Sequence, residues 1–265
     1  MRITVKLGGS ILEETYVRAG ILSQVSKIAA SGHEVILVHG GGKSLNRRLS
    51  QMQIESHFKE GLRVTDAETL KVAVMVLAGE VNKRIVSEVN HSGTPAVGIC
   101  GADACAVRCV RLSDLPDSPS GIGFVGKPSE VDRSFFDLIF RAGWIPVVSS
   151  IALGPDGQLY NVNADSMAAA CAGGAGCTSL VYLTDVSGVK DENGSVLHNI
   201  EESDISALRS QGIIKGGMLP KTSSCLEALA AGVRDALILP GSEPDILMKF
   251  INGTLTEGTH IHGKR

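Results

Sequence analysis

The sequence predicts an α/β fold, a three-layer αβα sandwich around a mostly parallel central sheet. Short β-branched runs alternate with helix-period segments along the 265 residues. Glycine-rich turns follow the strand runs at 8–10, 40–42 and 187–188, where open parallel sheets end their strands and bind ligands. Hydrophobic residues make up 43% of the chain and charged residues 20%, enough for one large domain or one domain of two lobes.

The elements follow in order. "ITVKL" (3–7) reads as the first strand. The helix at 16–32 places Val17, Ile21, Val25, Ile28 and Ala29 on one face and closes at Gly32. "EVILV" (34–38) is the second strand, and 43–52 a short helix. A long helix spans 66–93, opened by Asp66 as N-cap and closed by Gly93. "PAVGI" (95–99) is a strand, and the Gly-, Pro- and Ser-rich 101–130 reads as short strands joined by turns. A helix at 131–142 leads to the strand 144–150. "GPDG" (154–157) marks a hairpin turn, and the helix 164–173 leads to the strand 179–185. "DENG" (191–194) is another turn, followed by helices near 203–211 and at 220–232. The chain closes with strand 235–239, helix 243–251 and strand 259–261. "GGAGC" places a lobe boundary near 174–178.

Composition excludes several classes. The net charge is -3 and the pI about 6.2, so no basic field recommends nucleic acid or an anionic membrane. No apolar run is long enough to span a bilayer. The N-terminus enters a strand at once, without a signal-peptide pattern. The six cysteines form no C-x-x-C pair with a histidine partner, which argues against zinc. Free thiols in a reducing cytoplasm are the expectation, and the Asn-x-Ser/Thr triplets at Asn90, Asn193 and Asn252 are then chance matches.

Two motifs mislead. "VHGGGKS" (38–44) ends like a P-loop, but Leu37, inside a strand, stands where its first glycine belongs. "GIGFVG" (121–126) is a literal G-x-G-x-x-G, yet no clear strand precedes it and Pro128 stands where its helix should run.

A different set carries chemistry. In the first strand Ile3, Val5 and Leu7 share one face, and Arg2, Thr4 and Lys6 the other. Lys6 sits at the carboxyl end, before Gly8 and Gly9, and so points to the ligand crevice; a lone lysine there is more often an edge residue in solvent. Gly8, Gly9, Gly40, Gly41 and Gly42 let backbone N–H groups approach a bound anion, beyond what two tight turns require. In "NVNAD" (161–165), capping explains Asn163, and the helix dipole explains Asp165; neither explains Asn161. In "GGMLPK" (216–221), Pro220 is expected at the first helical position, which puts Lys221 in the first turn, where a cation is disfavoured. Arg63 precedes the long helix and offers a carboxylate fork, although a lone arginine is usually a surface residue. Two lysines, an arginine, two glycine cradles and a carboxylate suit phosphoryl transfer between two anions.

This set resembles the amino acid kinase family, and within it the branch that phosphorylates N-acetyl-L-glutamate. The pieces are "VKLGGS", "VHGGGK", "GLRVTD", "LAGEVNK", "GFVG", "WIPVVSSIAL", "GQLYNVNAD", "YLTDVSGVKD", "GGMLPK" and "GTHI", in order from residue 5 to 261. The resemblance implies the amino acid kinase fold and ATP-dependent phosphorylation of the γ-carboxylate, a step of arginine biosynthesis. It implies that Lys6 and Lys221 stabilise the transferring phosphoryl group and that Asp165 organises them. Gly9, Gly41 and Gly42 would contact the phosphoryl group or the acceptor carboxylate, with Arg63, Asn161 and Asn163 on the acceptor side. Gly8, Thr184, Asp185, Val186, Gly188, Val189, Lys190, Ile213, Ile214, Lys215, Gly217 and Met218 would line the ATP site. Mg²⁺ would be held by the nucleotide phosphates and no metal by the chain.

The resemblance further implies an N-terminal lobe (1–175) for acceptor binding and dimerisation and a C-terminal lobe (176–265) for ATP, on one continuous sheet. "GICGADA" (98–104) and Lys127-Pro128 depart from the family wording, in a region that does not touch the expected chemistry. Arg2 already enters the first strand, so an arginine-insensitive homodimer is expected rather than a hexamer with an added N-terminal helix. The alternatives are a kinase for a related acylated amino acid, such as acetylaminoadipate, and a non-catalytic amino-acid sensor of the same fold.

Overall fold

The computed structural model describes residues 1–263. In chain order the elements are β1 (Arg2–Leu7), α1 (Gly9–Glu13), α2 (Thr15–Ala30), β2 (Glu34–His39), α3 (Gly42–Gln51), β3 (Phe58–Lys59) and β4 (Leu62–Arg63). Then come α4 (Ala67–Ala73), a π-helical segment (Val74–Val81), α5 (Asn82–His91), β5 (Ala96–Ile99), β6 (Val107–Arg111), β7 (Val125–Val131), α6 (Arg133–Arg141) and β8 (Ile145–Ser149). The rest is β9 (Ile151–Leu153), β10 (Leu159–Val162), α7 (Ala164–Gly174), β11 (Ser179–Thr184), β12 (Asn199–Glu201), α8 (Ile205–Ser210), α9 (Met218–Ala230), β13 (Asp235–Pro240), α10 (Ile246–Ile251) and β14 (Thr259–His262).

The main sheet has eight strands in the order β12-β14-β13-β11-β1-β2-β8-β5. Every pairing is parallel except β13 with β14. β1 lies at the centre, with Lys6 in register with Tyr182 of β11 and Val38 of β2. Alternation sorts its side chains onto two faces. Ile3, Val5 and Leu7 pack with Leu37, with Ile21 of α2, and with Val76 and Val81 of the π segment. On the other face Val38 and Tyr182 pack with Met167 of α7 and Cys225 of α9. Helices cover both faces of one uninterrupted sheet, giving the three expected layers. Among the described residues, no helix is long and apolar enough to cross a membrane.

The turn-rich 101–130 contributes β6 and β7, which close with β9 and β10 into a second, small sheet. The "GPDG" turn joins β9 to β10 as an antiparallel hairpin. β3 and β4 form a separate two-stranded hairpin.

Besides the short strands β3, β4 and β12, which the sequence reading does not contain, four details differ from it. α1 was not anticipated; five residues are too short to register as a helical period. The helix expected over 66–93 changes to π geometry over eight residues, a change that leaves the apolar pattern intact. Asp66 caps its start as expected, accepting from the Thr69 N–H at 2.7 Å. α9 starts at Met218, so Pro220 is its third residue rather than its first. Proline is tolerated there because first-turn N–H groups have no partner within the helix. α10 starts at Ile246, after Asp245 adopts a left-handed φ of 53°.

Candidate active site

Lys6, Asp165 and Lys221 converge beside the carboxyl end of β1. Asn163 ends the loop after β10 and caps α7, accepting from the N–H groups of Asp165 (2.8 Å) and Ser166 (3.2 Å). That cap fixes Asp165 in the first turn. Lys221 Nζ donates to Asp165 Oδ2 at 2.9 Å. Lys6 Nζ contacts Oδ1 at 2.7 Å as an ion pair off the hydrogen-bond axis. The Tyr182 hydroxyl donates to the main-chain carbonyl of Asp165 at 3.0 Å, and its ring lies 5.9 Å from Lys221 Nζ.

Burial pushes the Lys6 ammonium below the ordinary lysine range; Asp165 opposes this and Lys221 adds to it. Burial by itself would raise the Asp165 carboxyl, but the two ammonium groups outweigh it and hold the carboxyl below its usual range. The cluster therefore carries two cations and one anion, a net positive charge in a dry setting.

A small cavity of about 170 Å³ reaches Asn163 and Ala164, next to Asp165 in the chain. Gly40, Gly41, Gly42, Arg63, Asn161, Asn163 and Ala164 line it. Gly41 has φ 152°, so its backbone calls for glycine, and a Cβ there would stand 2.8 Å from Leu77 Cδ2 and displace that side chain. Arg63 stacks over the Phe58 ring at 4.7 Å, donates to Asn46 Oδ1 at 2.6 Å and also donates to Ser56 Oγ. Its guanidinium is thereby aimed before any ligand arrives. Asn161 donates to Thr65 Oγ1 at 3.2 Å. The apolar lining comes from Leu45, Leu62, Leu77, Val125 and Val162. A small cavity with one arginine, amide groups and apolar walls fits a short carboxylate with an apolar appendage.

A second cavity of about 600 Å³ is lined by Val186, Gly188, Val189, Lys190, Ile213, Lys215 and Met218, among others. These are seven of the residues expected at a nucleotide site. Ile214 is not brought to it: its side chain is buried in the core beside α9. Thr184 is buried at the end of β11, its hydroxyl donating to Asp185 Oδ1 at 3.2 Å. The Gly8 N–H is committed to the Leu183 carbonyl at 3.0 Å, and a Cβ on Gly8 would meet that oxygen at 2.5 Å. Gly9 opens α1 with nothing within 4 Å of a Cβ position. Lys43, in the first turn of α3, is exposed.

Several supporting residues escaped the sequence reading. Asn46 and Ser56 lie in unremarkable polar stretches, and only the folded chain brings them to Arg63. Arg209 of α8 donates to Thr222 Oγ1 (3.0 Å) and Ser223 Oγ (2.9 Å) of α9, just past Lys221. Tyr182 reads as one more apolar strand residue.

Comparison with known proteins shows the family. The sequence profile described as Amino acid kinase family matches residues 1–240. Acetylglutamate kinase of Acidobacterium capsulatum is 42% identical over 261 residues, 98% of this chain and 99% of that protein. Acetylglutamate kinase of Koribacter versatilis is 40% identical over 263 residues, 98% of each chain. Among solved structures, smu.665 from Streptococcus mutans UA159 aligns with a TM-score of 0.80 at 26% identity, covering 98% of both chains.

Proposed function

The chain belongs to the amino acid kinase family, and from that premise we propose that it phosphorylates the γ-carboxylate of N-acetyl-L-glutamate with ATP. It is a phosphotransferase with a carboxyl group as acceptor, acting in arginine biosynthesis, and its full-length relatives at 40–42% identity are acetylglutamate kinases. The observation that carries the reading is the buried Lys6–Asp165–Lys221 cluster, which adjoins in the chain the lining of a small Arg63-bearing cavity at Ala164 and lies one helical turn from that of a larger one at Met218.

The acceptor occupies the small cavity. Arg63 pairs with a carboxylate of its amino-acid head, and Asn161 hydrogen-bonds the same end. Its acetyl methyl meets the apolar walls. Its γ-carboxylate points to the glycine cradle and Lys6. That carboxylate is already ionised near pH 7 and needs no general base. MgATP enters the larger cavity as substrate, its metal ion held by phosphate oxygens, with its γ-phosphoryl directed at the cluster.

A carboxylate oxygen forms a bond to the γ-phosphorus as the bond to the β-bridging oxygen breaks. ADP leaves and N-acetylglutamyl 5-phosphate forms. Both reactants are anionic, so the work lies in positioning and charge stabilisation. Lys6 and Lys221 face the phosphoryl oxygens, and the N–H groups of Gly9, Gly41 and Gly42 supply fixed dipoles. Asp165 keeps the two lysines charged side by side.

The division into an acceptor lobe (1–175) and a nucleotide lobe (176–265) draws support from the cavities: the first is lined only by residues up to Ala164, the second only from Val186 onward. The same reading pairs two copies of the chain; Leu138 and Trp144 expose large apolar side chains near the sheet's β5 edge, and light scattering tests the pairing. All six cysteines are free thiols, in keeping with a cytoplasmic setting.

The deciding experiment is an ATP-dependent hydroxamate assay over N-acetylglutamate, acetylaminoadipate, glutamate and aspartate. Hydroxylamine traps the acyl phosphate. Preference for N-acetylglutamate supports the assignment; preference for acetylaminoadipate moves it to the longer acceptor, and no hydroxamate with any of the four sinks it.

A further inference from the structure

β2 is apolar from Val35 to Val38 and then ends on His39, a side chain with no exposure to solvent. An apolar residue would fill that position at lower cost, so the imidazole calls for a reason. Its Nδ1 lies 2.8 Å from the Gly40 carbonyl, and its Nε2 3.0 Å from Nδ2 of Asn82, also fully buried. The direction of this chain of bonds is set at its far end. The Val147 carbonyl, which only accepts, lies 2.9 Å from Asn82 Nδ2. The Lys83 ammonium, which only donates, lies 3.1 Å from Asn82 Oδ1. Asn82 Nδ2 therefore donates to His39 Nε2, and the one ring proton sits on Nδ1 and goes to the Gly40 carbonyl. Burial pushes the imidazole down to about 4 against the Gly40 hydrogen bond, with Arg84, Lys6 and Lys83 adding to the fall, so the ring is neutral at physiological pH.

In a trans peptide the C=O and the next N–H point in opposite directions. Holding the Gly40 carbonyl toward His39 turns the Gly41 N–H away from it. Gly40, Gly41 and Gly42 line the acceptor cavity, and the Gly41 carbonyl is itself held by the Leu45 N–H at 2.8 Å. Both peptide groups flanking Gly41 are thus tied down. We infer that His39 is a positioning residue, which through its Nδ1–H and the Asn82 relay fixes the Gly40–Gly41 peptide so that the Gly41 N–H faces the transferring phosphoryl group. His39 itself touches no substrate. The inference rests on the reaction proposed above.

Two polar variants separate this role from simple packing. In His39→Asn the amide nitrogen stands near the place of Nδ1 and can still donate to the Gly40 carbonyl. In His39→Gln the amide reaches toward Asn82 and leaves that carbonyl unpaired. Removing one such donor outright costs roughly 10²–10³-fold in kcat; a misaimed one should cost about tenfold or more. His39→Gln is expected to lose at least that much kcat, with KM for both substrates within about twofold. His39→Asn should recover most of the loss. Binding of ADP with aluminium fluoride and N-acetylglutamate, which mimics the transferring group, should weaken in step with kcat, while ADP alone binds as before. Equal kcat in the two variants, or a loss confined to KM, overturns the role.

A measurement on the unaltered protein stands beside these, should the variants fail to fold. Imidazole 15N spectra should show His39 protonated at Nδ1; an Nε2-protonated ring refutes the inference. Lys6→Ala serves as the control. If it retains turnover, the phosphoryl-transfer reading itself fails; if it is inactive while His39→Gln runs at the parental rate, only the role of His39 fails.

Discussion

Lys6 Nζ rests 2.7 Å from Oδ1 of Asp165, with both side chains more than nine-tenths buried. A charged lysine so buried is tolerable only beside a carboxylate. Lys221 reaches the remaining carboxylate oxygen from α9, 2.9 Å away. One carboxylate thus holds two cations from opposite parts of the chain.

Lys6→Ala and Lys221→Ala should each lower kcat by roughly 10²–10³-fold, the usual cost of removing one preorganised charge stabiliser. Lys6→Ala leaves Asp165 paired with Lys221 and should melt close to the parent. Asp165→Ala strands two ammonium groups and should cost about 3 kcal/mol or more of folding stability as well as activity. The hydroxamate assay and urea unfolding read the two effects. An Asp165→Ala variant as stable as the parent refutes the electrostatic role.

Lys6 must be charged to act, and its ammonium is held below the ordinary range, chiefly by burial. The alkaline limb of kcat/KM should therefore fall below the lysine value of about 10.4. Bound nucleotide adds negative charge, so the limb in kcat should lie higher than that in kcat/KM. Between the folded and unfolded pKa of Lys6 the unfolded chain binds more protons, so this group's contribution to stability rises with pH across that window. Asp165 runs on the acid side: its folded pKa is depressed, so its contribution is full above about 3.9 and is lost as pH falls through the folded value. Urea unfolding of the parent and Asp165→Asn, from neutrality down to about two pH units below the free aspartate value, should show the parent's advantage shrinking at the acid end.

Gly41→Ala should impair both fold and turnover. The φ of 152° is strained for any Cβ-bearing residue, and the new Cβ would press on Leu77 and Val81. Strain of this kind costs about 1–3 kcal/mol. Thermal melts should show the loss, and kcat should fall because the cradle amide moves. Gly42→Ala, with nothing within 4 Å of its Cβ position, should melt like the parent.

Arg63→Lys should raise KM for N-acetylglutamate by about tenfold or more while leaving KM for ATP unchanged. A lysine cannot keep the planar stack on Phe58 and the two bonds to Asn46 and Ser56 at once. Asn46→Ala should reproduce part of the effect, since it frees the guanidinium without removing it. Equal shifts in both KM values would contradict the assignment of the two cavities.

Much of the site was legible because its signals break local rules. Lys6 at a strand end, Lys221 in the first turn of a helix and three successive glycines each sit where propensity disfavours them. Asp66 and Asn163 were legible for the opposite reason, as caps that obey local rules. Asn46, Ser56 and Arg209 were not, because a polar residue on a polar stretch carries no local sign of its distant partner. His39 lay in view beside the glycines, but its neutral tautomer depends on Asn82 and Lys83 from one stretch of chain and Val147 from another.

The sequence by itself determined the alternation of strands and helices, the caps, the glycine turns and the residue types of the chemistry. These follow from periodicities and backbone preferences that act within a few residues. Tertiary structure alone decided that β11 pairs beside β1, that β6, β7, β9 and β10 close into a second small sheet, and that residues 6, 165 and 221 meet. Strand order and ion pairing are chosen by burial and charge compensation between segments far apart in the chain, and no local pattern encodes those distances.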